Sequence, residues 1–568
     1  MQEIEMYGPT MPIAEETHAQ KHRQRGETFK EAMTRQASTL ADNPQHFYAF
    51  RSALLMQRFL SAGRIQSSIG SPRKTTAFNC FVSSTIGDSM DEIMEAAKEA
   101  AQTMRLGGGI GYDFSTIRPR GDLIVSLDSK SSGVLSFMQI FDSICSTVSS
   151  AGHRRGAQMG VLRVDHPDIE EFIEAKTNSN NLTQFNLSVG VTDKFMEAVK
   201  NNEEFELVFN GKVYKRVDAN YLFEKMMRAN WDWAEPGVLF IDRINEMNNL
   251  YYCETIAATN PCGEQPLSPY GACLLGSFNL TKYLDKAGDK YRFSWKTFKE
   301  DIPHVVRALD NVIDRTTFPL KEQEEEAKKK RRMGLGITGL ANTGEALGYS
   351  YASTDFLKFQ ERVQKLLVNE AYKASALLAK EKGAFPLYDE SKYLASKFIA
   401  KLEEETKELI KKHGIRNSHL TSIAPAGTIS LTADNVSGGI EPVFSHYYDR
   451  TVKTNEGEEV YRVKDYGFAK LGVKGKTANE CTVDEHLAVL ILAAKWVDSA
   501  VSKTINVGDD VSWGEFKGIY LKAWEAGCKG CTTFRASGRR YGVLNRVENE
   551  TASGACYIDS TTGQKECS

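Results

Sequence analysis

The sequence has no long hydrophobic run, and its first residues do not have the pattern of a secretory leader. Its most apolar helical stretch, Leu487–Val497, is much shorter than the roughly 20 apolar residues that a membrane-spanning helix needs. The first residues, Met1–Glu5, lack the basic and apolar segments of a signal peptide. A formal net charge of -3 over 568 residues gives no global attraction to nucleic acid or to an anionic membrane. We therefore expect a cytoplasmic protein that binds neither a membrane nor nucleic acid.

Cysteine is also scarce. Ten cysteines in 568 residues are too few for a secreted disulfide scaffold, so we expect reduced thiols unless they take part in turnover. Two of them, Cys556 and Cys567, lie in a C-terminal segment rich in Thr, Ser and Gly. Flexible ends seldom carry cysteines for packing, which favours a chemical role for this pair.

The usual fingerprints of nucleotide-binding loops are missing. Leu106–Asp113 has four glycines in five positions, which indicates close approach of the backbone to a ligand or a strand. Its spacing is not the dinucleotide pattern G-x-G-x-x-G. Gly472–Thr477 contains Gly-Lys-Thr, but Lys470 stands where a P-loop requires glycine. Neither segment predicts a nucleotide site by its pattern alone.

The segment with the clearest chemical content is Thr259–Leu267, which places Asn260, Cys262 and Glu264 at alternate positions. The intervening proline and glycine favour a loop tip. If the centre is extended, the three side chains project to one side. The thiol could then do redox, nucleophilic or radical chemistry while Glu264 transfers a proton, particularly if burial raises its pKa. The alternative is a buried structural cysteine near an ordinary surface glutamate.

Other segments add chemical groups. Cys80 lies in the β-prone run 77–82, and Cys273 follows Cys262 by eleven residues on a predicted returning strand. The segment 422–431 reads as a strand, a glycine turn and hydroxyl side chains, which could cradle a phosphate. An ordinary Pro-Gly turn is the alternative interpretation.

The overall pattern favours an α/β fold. Predicted helices near 355–383, 394–413 and 484–503 alternate with short apolar or glycine-rich runs such as Gly334–Leu340. Alternation of this kind is typical of a largely parallel sheet covered by helices.

Taken together, these segments resemble the catalytic subunit of a ribonucleotide reductase. The resemblance rests on Asn260-x-Cys262-x-Glu264, on Cys80 and Cys273, on the turn 425–430 and on the C-terminal cysteine pair, in order along nearly the whole chain. Three further segments are most similar to the adenosylcobalamin-dependent, class II members: Ala62–Gln66, Gly108–Ser115 and Gly530–Arg535.

The resemblance implies a ten-stranded α/β barrel with Cys262 at the tip of a central finger loop. It divides the chain into an N-terminal helical region at 1–75 without an ATP-cone, a barrel domain at 76–545 and a flexible redox tail at 546–568.

The resemblance also implies a radical mechanism with adenosylcobalamin as cofactor. A cobalamin-derived 5′-deoxyadenosyl radical would oxidise Cys262 to a thiyl, which removes the ribose 3′-hydrogen. Glu264 would take the 3′-OH proton, and Asn260 would hold the sugar hydroxyls. Cys80 and Cys273 would supply the reducing equivalents and become a disulfide, which thiol exchange with Cys556 and Cys567 and then with a thioredoxin-like or other external reductant would restore.

Ligand-binding residues follow from the same resemblance. The substrate-binding set is Asn79, Gly109, Pro425, Ala426, Gly427, Thr428, Ile429 and Ser430. The set expected to bind a deoxynucleoside triphosphate effector at a homodimer interface is Asp88, Ser89, Met90 and Arg118. The loop 178–184 would relay the identity of the effector to the substrate base. Asn79 stands where many members of the family have serine.

Several alternatives remain open from the sequence. The chain could be a class I catalytic subunit that needs a separate metal-containing radical subunit, although Thr532 and Thr533 stand where such enzymes carry a tyrosine pair. It could also be an inactive reductase scaffold that binds nucleotides as a regulator. Cys528 and Cys531 could replace the tail pair as the shuttle, or form a zinc site with it. The sequence contains no Asp-x-His-x-x-Gly cobalamin motif, so the cofactor rests on the resemblance.

Overall fold

The computed structural model describes residues 8–148, 157–177, 181–454, 457–535, 537–538, 545–546, 557–558 and 565–566. Cys556 and Cys567, the predicted shuttle pair, lie outside these residues, as does the 178–180 part of the predicted relay loop. Within the described ranges, no helix combines the length and the apolar character needed to cross a membrane.

The largest sheet has eight strands. In spatial order they are Ala272–Cys273, Cys80–Val82, Gly109–Asp113, Gln158–Arg163, Phe185–Val191, Gly237–Phe240, Gly530–Arg535 and Thr504–Val507. Five neighbouring strands, from Cys80–Val82 to Gly237–Phe240, run parallel, which requires a crossover between each pair. Every residue of Phe185–Val191 is buried, as expected for a parallel strand covered on both faces.

A second sheet has three strands. Leu275–Asn279 lies in the middle, antiparallel to Phe59–Ser61 and parallel to Gly334–Thr338. Isolated parallel bridges continue the pairing from Leu335 to Thr421 and from Ile423 to Val501. The predicted α/β fold is therefore present, but the paired strands of the described residues form two sheets joined by single bridges rather than one closed ring of ten strands.

Helices cover both sheets. They are Pro12–His22, Phe29–Leu40, Pro44–Leu55, Gly63–Ser68, Met90–Arg105, Val134–Thr147, Ile169–Glu174, Asp193–Asn201, Ala219–Trp233, Ile241–Glu246, Trp295–Arg315, Lys321–Lys330, Leu340–Ala346, Thr354–Lys382, Glu390–Leu394, Glu404–His413, Gly427–Leu431, Val483–Lys495 and Trp513–Glu525. Thr28 and Thr482 begin their helices with full capping boxes, in which a glutamate three residues later completes the reciprocal hydrogen bonds.

Short antiparallel pairs lie outside the two large sheets. They are Leu123–Ile124 with Ser129–Lys130, Glu204–Phe209 with Lys212–Asp218, Ala258–Thr259 with Pro266–Leu267, Leu284–Ala287 with Lys290–Phe293, Tyr447–Thr454 with Gly457–Lys464 and with Asn545–Arg546, and Tyr557–Ile558 with Lys565–Glu566.

Two hydrophobic cores hold these layers together. One packs the long helices Trp295–Arg315 and Thr354–Lys382 against the three-stranded sheet. The other packs Met90–Arg105, Val134–Thr147 and Ala219–Trp233 against the eight-stranded sheet. The Cys262 segment lies between the two sheets, where strands of both approach it.

Candidate functional site

The Cys262 segment is a hairpin tip. Ala258–Thr259 pairs with Pro266–Leu267, and the turn between them is closed by the N–H of Gln265, which donates to Asn260 Oδ1 at 2.9 Å. The N–H of Gly263 donates to the carbonyl oxygen of Asn260 at 3.0 Å, and Gly263 has a φ of +81°, which favours glycine. The centre is therefore turned rather than extended, and Asn260 shapes the turn itself.

Hydrogen bonds hold the hairpin on both sides. The Asn186 amide donates to the carbonyl oxygen of Pro261 at 3.1 Å. On the other side, the N–H of Ala500 and the hydroxyl of Ser422 each donate to the carbonyl oxygen of Glu264 at 2.9 Å. A Cβ at Gly111 would lie 1.8 Å from the Thr259 carbonyl oxygen, so only glycine allows this approach. Part of the glycine-rich segment therefore makes room for the hairpin.

Cys80 and Cys273 lie directly opposite each other on antiparallel strands. Residues paired in this way have Cα atoms about 4.5–5.5 Å apart, a separation at which a disulfide can form. Both are free thiols in the structure. Cys80 lines the same cleft as Cys262 and Glu264, whereas Cys273 is fully buried behind it.

The electrostatics of Cys273 show how closely the groups converge. Burial raises the pKa of the Cys273 thiol well above its usual range, and Glu264, Cys80 and Cys262 each add to the rise. Cys262, Glu264 and Cys80 line one cleft, and Cys273 is paired with Cys80 on the neighbouring strand. The three predicted active cysteines and the carboxyl group therefore share one small region.

Glu264 is a buried acid with an altered proton affinity. Its side chain is 2% exposed, and burial raises its pKa to about 7, against a smaller opposing effect of the nearby Asn260 side chain. Glu264 Oε2 and Asn260 Nδ2 are both buried without a hydrogen-bond partner in the structure. Unpaired buried polar atoms are costly, which indicates that a polar ligand completes their hydrogen bonding.

The predicted substrate residues divide into two groups. Asn79, Pro425, Ala426, Thr428 and Ile429 line the cleft with Cys262. A Cβ at Gly109 would lie 3.2 Å from Cys80 Sγ, so this strand passes close to the thiols.

The remaining turn residues sit away from the lining. The Ser430 hydroxyl is buried 2.7 Å from the hydroxyl of Thr338, and Gly427 opens the short helix Gly427–Leu431. Neither is among the residues that line the cleft.

Cys262 also borders a second cavity. Its described lining includes Asn186, Glu235, Lys503 and Thr532. The Lys503 ammonium is held by Glu441 Oε2 at 2.6 Å and by His486 Nδ1 at 3.1 Å. Cys262 thus lies between two cavities with different linings.

Four residues of the first cavity have no role predicted from the sequence. Lys21, His22, Arg64 and Arg73 line the same cleft as the catalytic candidates, although they come from the N-terminal third of the chain. The Gly-Arg pair at 63–64 was a signal of family likeness, but nothing in the sequence placed it beside Cys262.

The four predicted effector residues cluster at the start of the helix Met90–Arg105. Arg118 Nε lies 2.8 Å from Asp88 Oδ2, and the Arg118 N–H donates to Asp88 Oδ1 at 2.9 Å. Ser89 caps the helix, and Met90 is exposed. The described end of the relay loop is anchored by the N–H of Gln184, which donates to Asp142 Oδ1 at 2.8 Å.

Cys528 and Cys531 are both buried. Burial raises the pKa of Cys528 to about 12 and that of Cys531 well above its usual range. The thiolate is the nucleophile in exchange, and burial disfavours it at both positions; the choice between this pair and the tail pair as shuttle stays a prediction. Across the described part of the chain, no group of three or more His, Cys, Asp or Glu side chains could hold a metal ion.

A hairpin that brings one thiol close to two further thiols and a protonatable carboxyl, between the sheets of an α/β fold, holds the groups that radical or redox chemistry requires. Residues 78–534 match the family model described as ribonucleotide reductase, barrel domain. The chain belongs to the ribonucleotide reductase family, which confirms the resemblance seen in the sequence.

Named relatives are similar over most of the chain. A vitamin B12-dependent ribonucleoside-diphosphate reductase of Mycobacterium tuberculosis is 37% identical over 82% of this chain and 68% of its own length. One of the same name from Thermoplasma acidophilum is 36% identical over 83% of this chain and 63% of its length. A vitamin B12-dependent ribonucleotide reductase of Streptomyces coelicolor is 26% identical over 85% and 58%. The chain thus spans about two thirds of the length of these relatives or less.

Proposed function

We propose that this protein reduces ribonucleotides to 2′-deoxyribonucleotides with adenosylcobalamin as cofactor. The observation that carries the proposal is the meeting of Cys262, Glu264, Cys80 and Cys273 in one enclosed region. Membership of the reductase family and the names of the B12-dependent relatives support it.

Each of these side chains has a distinct role in the proposed reaction. A Cys262 thiyl would remove the 3′-hydrogen of the ribose while Glu264 accepts the 3′-OH proton. Cys80 and Cys273 would supply two electrons and two protons as the 2′-OH leaves as water, and one disulfide would form. The 3′-hydrogen then returns from Cys262, so the net reaction consumes two thiols and releases one water. Asn260 Nδ2, buried and unpaired, is free to bind a sugar hydroxyl.

We place the cofactor in the second cavity. It reaches Cys262 separately from the substrate cleft, so an oxidant and a substrate can approach one sulfur without displacing each other. Asn186, Glu235, Lys503 and Thr532 would hold the part of the cofactor next to the thiol. Bound adenosylcobalamin supplies the one-electron oxidising power that a thiol needs to become a thiyl. The sheets around the hairpin would exclude water from that radical.

The finer family features are part of the proposal. The single bridges at Leu335–Thr421 and Ile423–Val501 support closure of the two sheets into the ten-stranded barrel. The domain divisions at residues 75 and 545 and the cytoplasmic location stay predictions. Cys556 and Cys567 stay the predicted shuttle, with a thioredoxin-like or other external reductant.

An effector site and a homodimer also belong to the proposal. Asp88, Ser89, Met90 and Arg118 would bind a deoxynucleoside triphosphate. Exposed apolar side chains lie on the same helix and on the segment after Arg118, namely Met90, Met94, Leu123, Val125 and Leu127. An exposed apolar patch of this kind often marks a protein interface, here with a second copy of the chain.

The test is an anaerobic assay of the purified chain with ribonucleoside di- and triphosphates, with and without adenosylcobalamin. We expect deoxynucleotide only with the cofactor, and the ratio of the two rates settles the phosphate level. Activity that appears only with a metal-containing radical subunit would instead establish the class I alternative. A Cys262→Ser variant should lose all turnover and keep nucleotide binding; turnover by that variant, or none by the wild type under any condition, contradicts the proposal.

A further inference from the structure

The cleft that contains Cys262 has a basic wall that the proposed chemistry does not use. Lys21, Arg64 and Arg73 line it together with His22. Glu264 is the one acidic side chain among the described residues of this lining. The cleft therefore offers positive charge beyond the reacting groups.

The N-terminal helix Pro12–His22, which brings Lys21 and His22, is fastened beside the substrate turn. The N–H of Thr10 and the N–H of Met11 donate to Asp434 Oδ1 at 2.7 and 2.8 Å, and the Thr10 hydroxyl donates to Asp434 Oδ2 at 2.7 Å. Asp434 follows the helix Gly427–Leu431 at the end of that turn. The helix that carries Lys21 and His22 is thus anchored at its N-terminal end to the segment that follows the turn.

Two glycines allow the side chains of His22 and Arg64 to pack directly against the backbone. A Cβ at Gly63 would lie 2.8 Å from the His22 ring, and one at Gly107 would lie 2.5 Å from the centre of the Arg64 guanidinium. Gly107 also has a φ of +97°. Arg64 is therefore held at a defined place rather than extended into solvent.

His22 supplies a second sign that a ligand is expected. It is 4% exposed, and neither ring nitrogen has a hydrogen-bond partner in the structure. Burial lowers the pKa of His22 well below its usual range, so the ring is neutral and offers one N–H donor. A buried polar group without a partner is costly unless a ligand satisfies it.

We propose that Lys21, His22, Arg64 and Arg73 bind the phosphate chain of the substrate. The inference rests on the proposed function, because Cys262, Glu264 and Cys80 fix the ribose 2′ and 3′ positions. The 5′-phosphates must then extend away from these groups along the cleft. Guanidinium and ammonium groups are the side chains best suited to phosphate oxygens, and the turn at 425–429 would contact the same phosphates.

The experiment compares a Lys21→Ala/Arg73→Ala double variant with Lys74→Ala. Lys74 is an exposed neighbour of Arg73 that does not line the cleft, so its loss removes one charge from the same segment. We expect the double variant to raise the KM for a ribonucleoside diphosphate about tenfold, with the effect on KM rather than kcat, since charge-assisted hydrogen bonds contribute on this scale. Lys74→Ala should match the wild type.

Inorganic pyrophosphate is the second probe. It should compete with nucleotide binding to the wild type and lose about tenfold in affinity for the double variant, while binding of the unphosphorylated nucleoside is unchanged. If the wild type is inactive with cobalamin but pyrophosphate binding still depends on Lys21 and Arg73, the phosphate site stands and the proposed function fails. If turnover is normal and the double variant has the KM of Lys74→Ala, the phosphate site is wrong.

Discussion

Replacement of Glu264 by glutamine should change how stability depends on pH. Burial raises the pKa of this carboxyl to about 7 in the folded protein from an ordinary value of 4.5. Well below pH 4.5 the carboxyl is protonated in both the folded and the unfolded protein, so it does not lower the free energy of unfolding. Between about 4.5 and about 7 the unfolded chain ionises first, so the free energy of unfolding falls as pH rises. Above about 7 the loss is constant.

The size of the effect follows from the shift. One pKa unit corresponds to about 1.4 kcal/mol, so ionisation costs the folded state roughly 3 kcal/mol in full. Between pH 5 and pH 8 the wild type should lose about 2.5 kcal/mol relative to Glu264→Gln. Any constant cost of the buried amide cancels in this comparison across pH.

The assay is urea unfolding followed by tryptophan fluorescence at several pH values. Glu345→Gln is the matched control, because burial also raises the pKa of Glu345 to about 7 at a position outside the candidate site. Both variants should show a similar gain at high pH, but only Glu264→Gln should stop turnover. In the wild type, kcat/KM should rise through pH of about 7, since a base must be ionised to accept a proton. A difference between Glu264→Gln and the wild type that is constant from pH 5 to 8 would refute the reasoning.

Three further predictions concern the hairpin, its support and the thiols. Gly111→Ala should destabilise the protein by about 3 kcal/mol and lower activity, because the added Cβ would meet the Thr259 carbonyl oxygen. Gly518→Ala, whose added Cβ would have no atom within 4 Å, should leave stability and activity unchanged. Equal melting temperatures for the two variants would contradict this prediction. Asp498→Ala should lower the free energy of unfolding in urea by roughly 3 kcal/mol, since it leaves the N–H groups of Leu420 and Thr421 without their acceptor. Asp484→Ala, at an exposed position, should change the free energy of unfolding little. Without a reductant the wild type should lose two titratable thiols per turnover, Cys80→Ser should lose none, and Cys253→Ser should behave as the wild type; thiol loss by Cys80→Ser would exclude the Cys80–Cys273 pair.

Much of the site was predictable because its reactive side chains lie in short segments of the sequence. Asn260, Cys262 and Glu264 lie within five residues, and the family likeness placed Cys80 and Cys273 beside them. The structure brings these residues together. The orientation of Asn260 was not predictable, because the same residues are compatible with an extended segment and with a closed turn. The turn is closed by the hydrogen bond that the N–H of Gln265 donates to Asn260 Oδ1.

Other features depend on contacts that the sequence does not display. The helix predicted near 484–503 ends at Lys495, because Asp498 accepts backbone hydrogen bonds from Leu420 and Thr421 and Val501 bridges to Ile423. This tertiary pairing overrides local helix propensity. The basic wall was missed for the same reason, since Lys21 lies far along the chain from Cys262.

If Cys80 and Cys273 form the proposed disulfide on turnover, the unequal burial of the two sulfurs gives its re-reduction a direction. Once turnover has joined positions 80 and 273, an incoming thiolate can reach the sulfur of Cys80 from the cleft, whereas Cys273 has no accessible surface. Cys80 must then carry the mixed disulfide, and Cys273 must be the departing sulfur. A departing thiol of high pKa leaves slowly unless it is protonated as it goes, and the buried carboxyl of Glu264, which lines the same cleft as Cys80, would be the proton donor in this scheme.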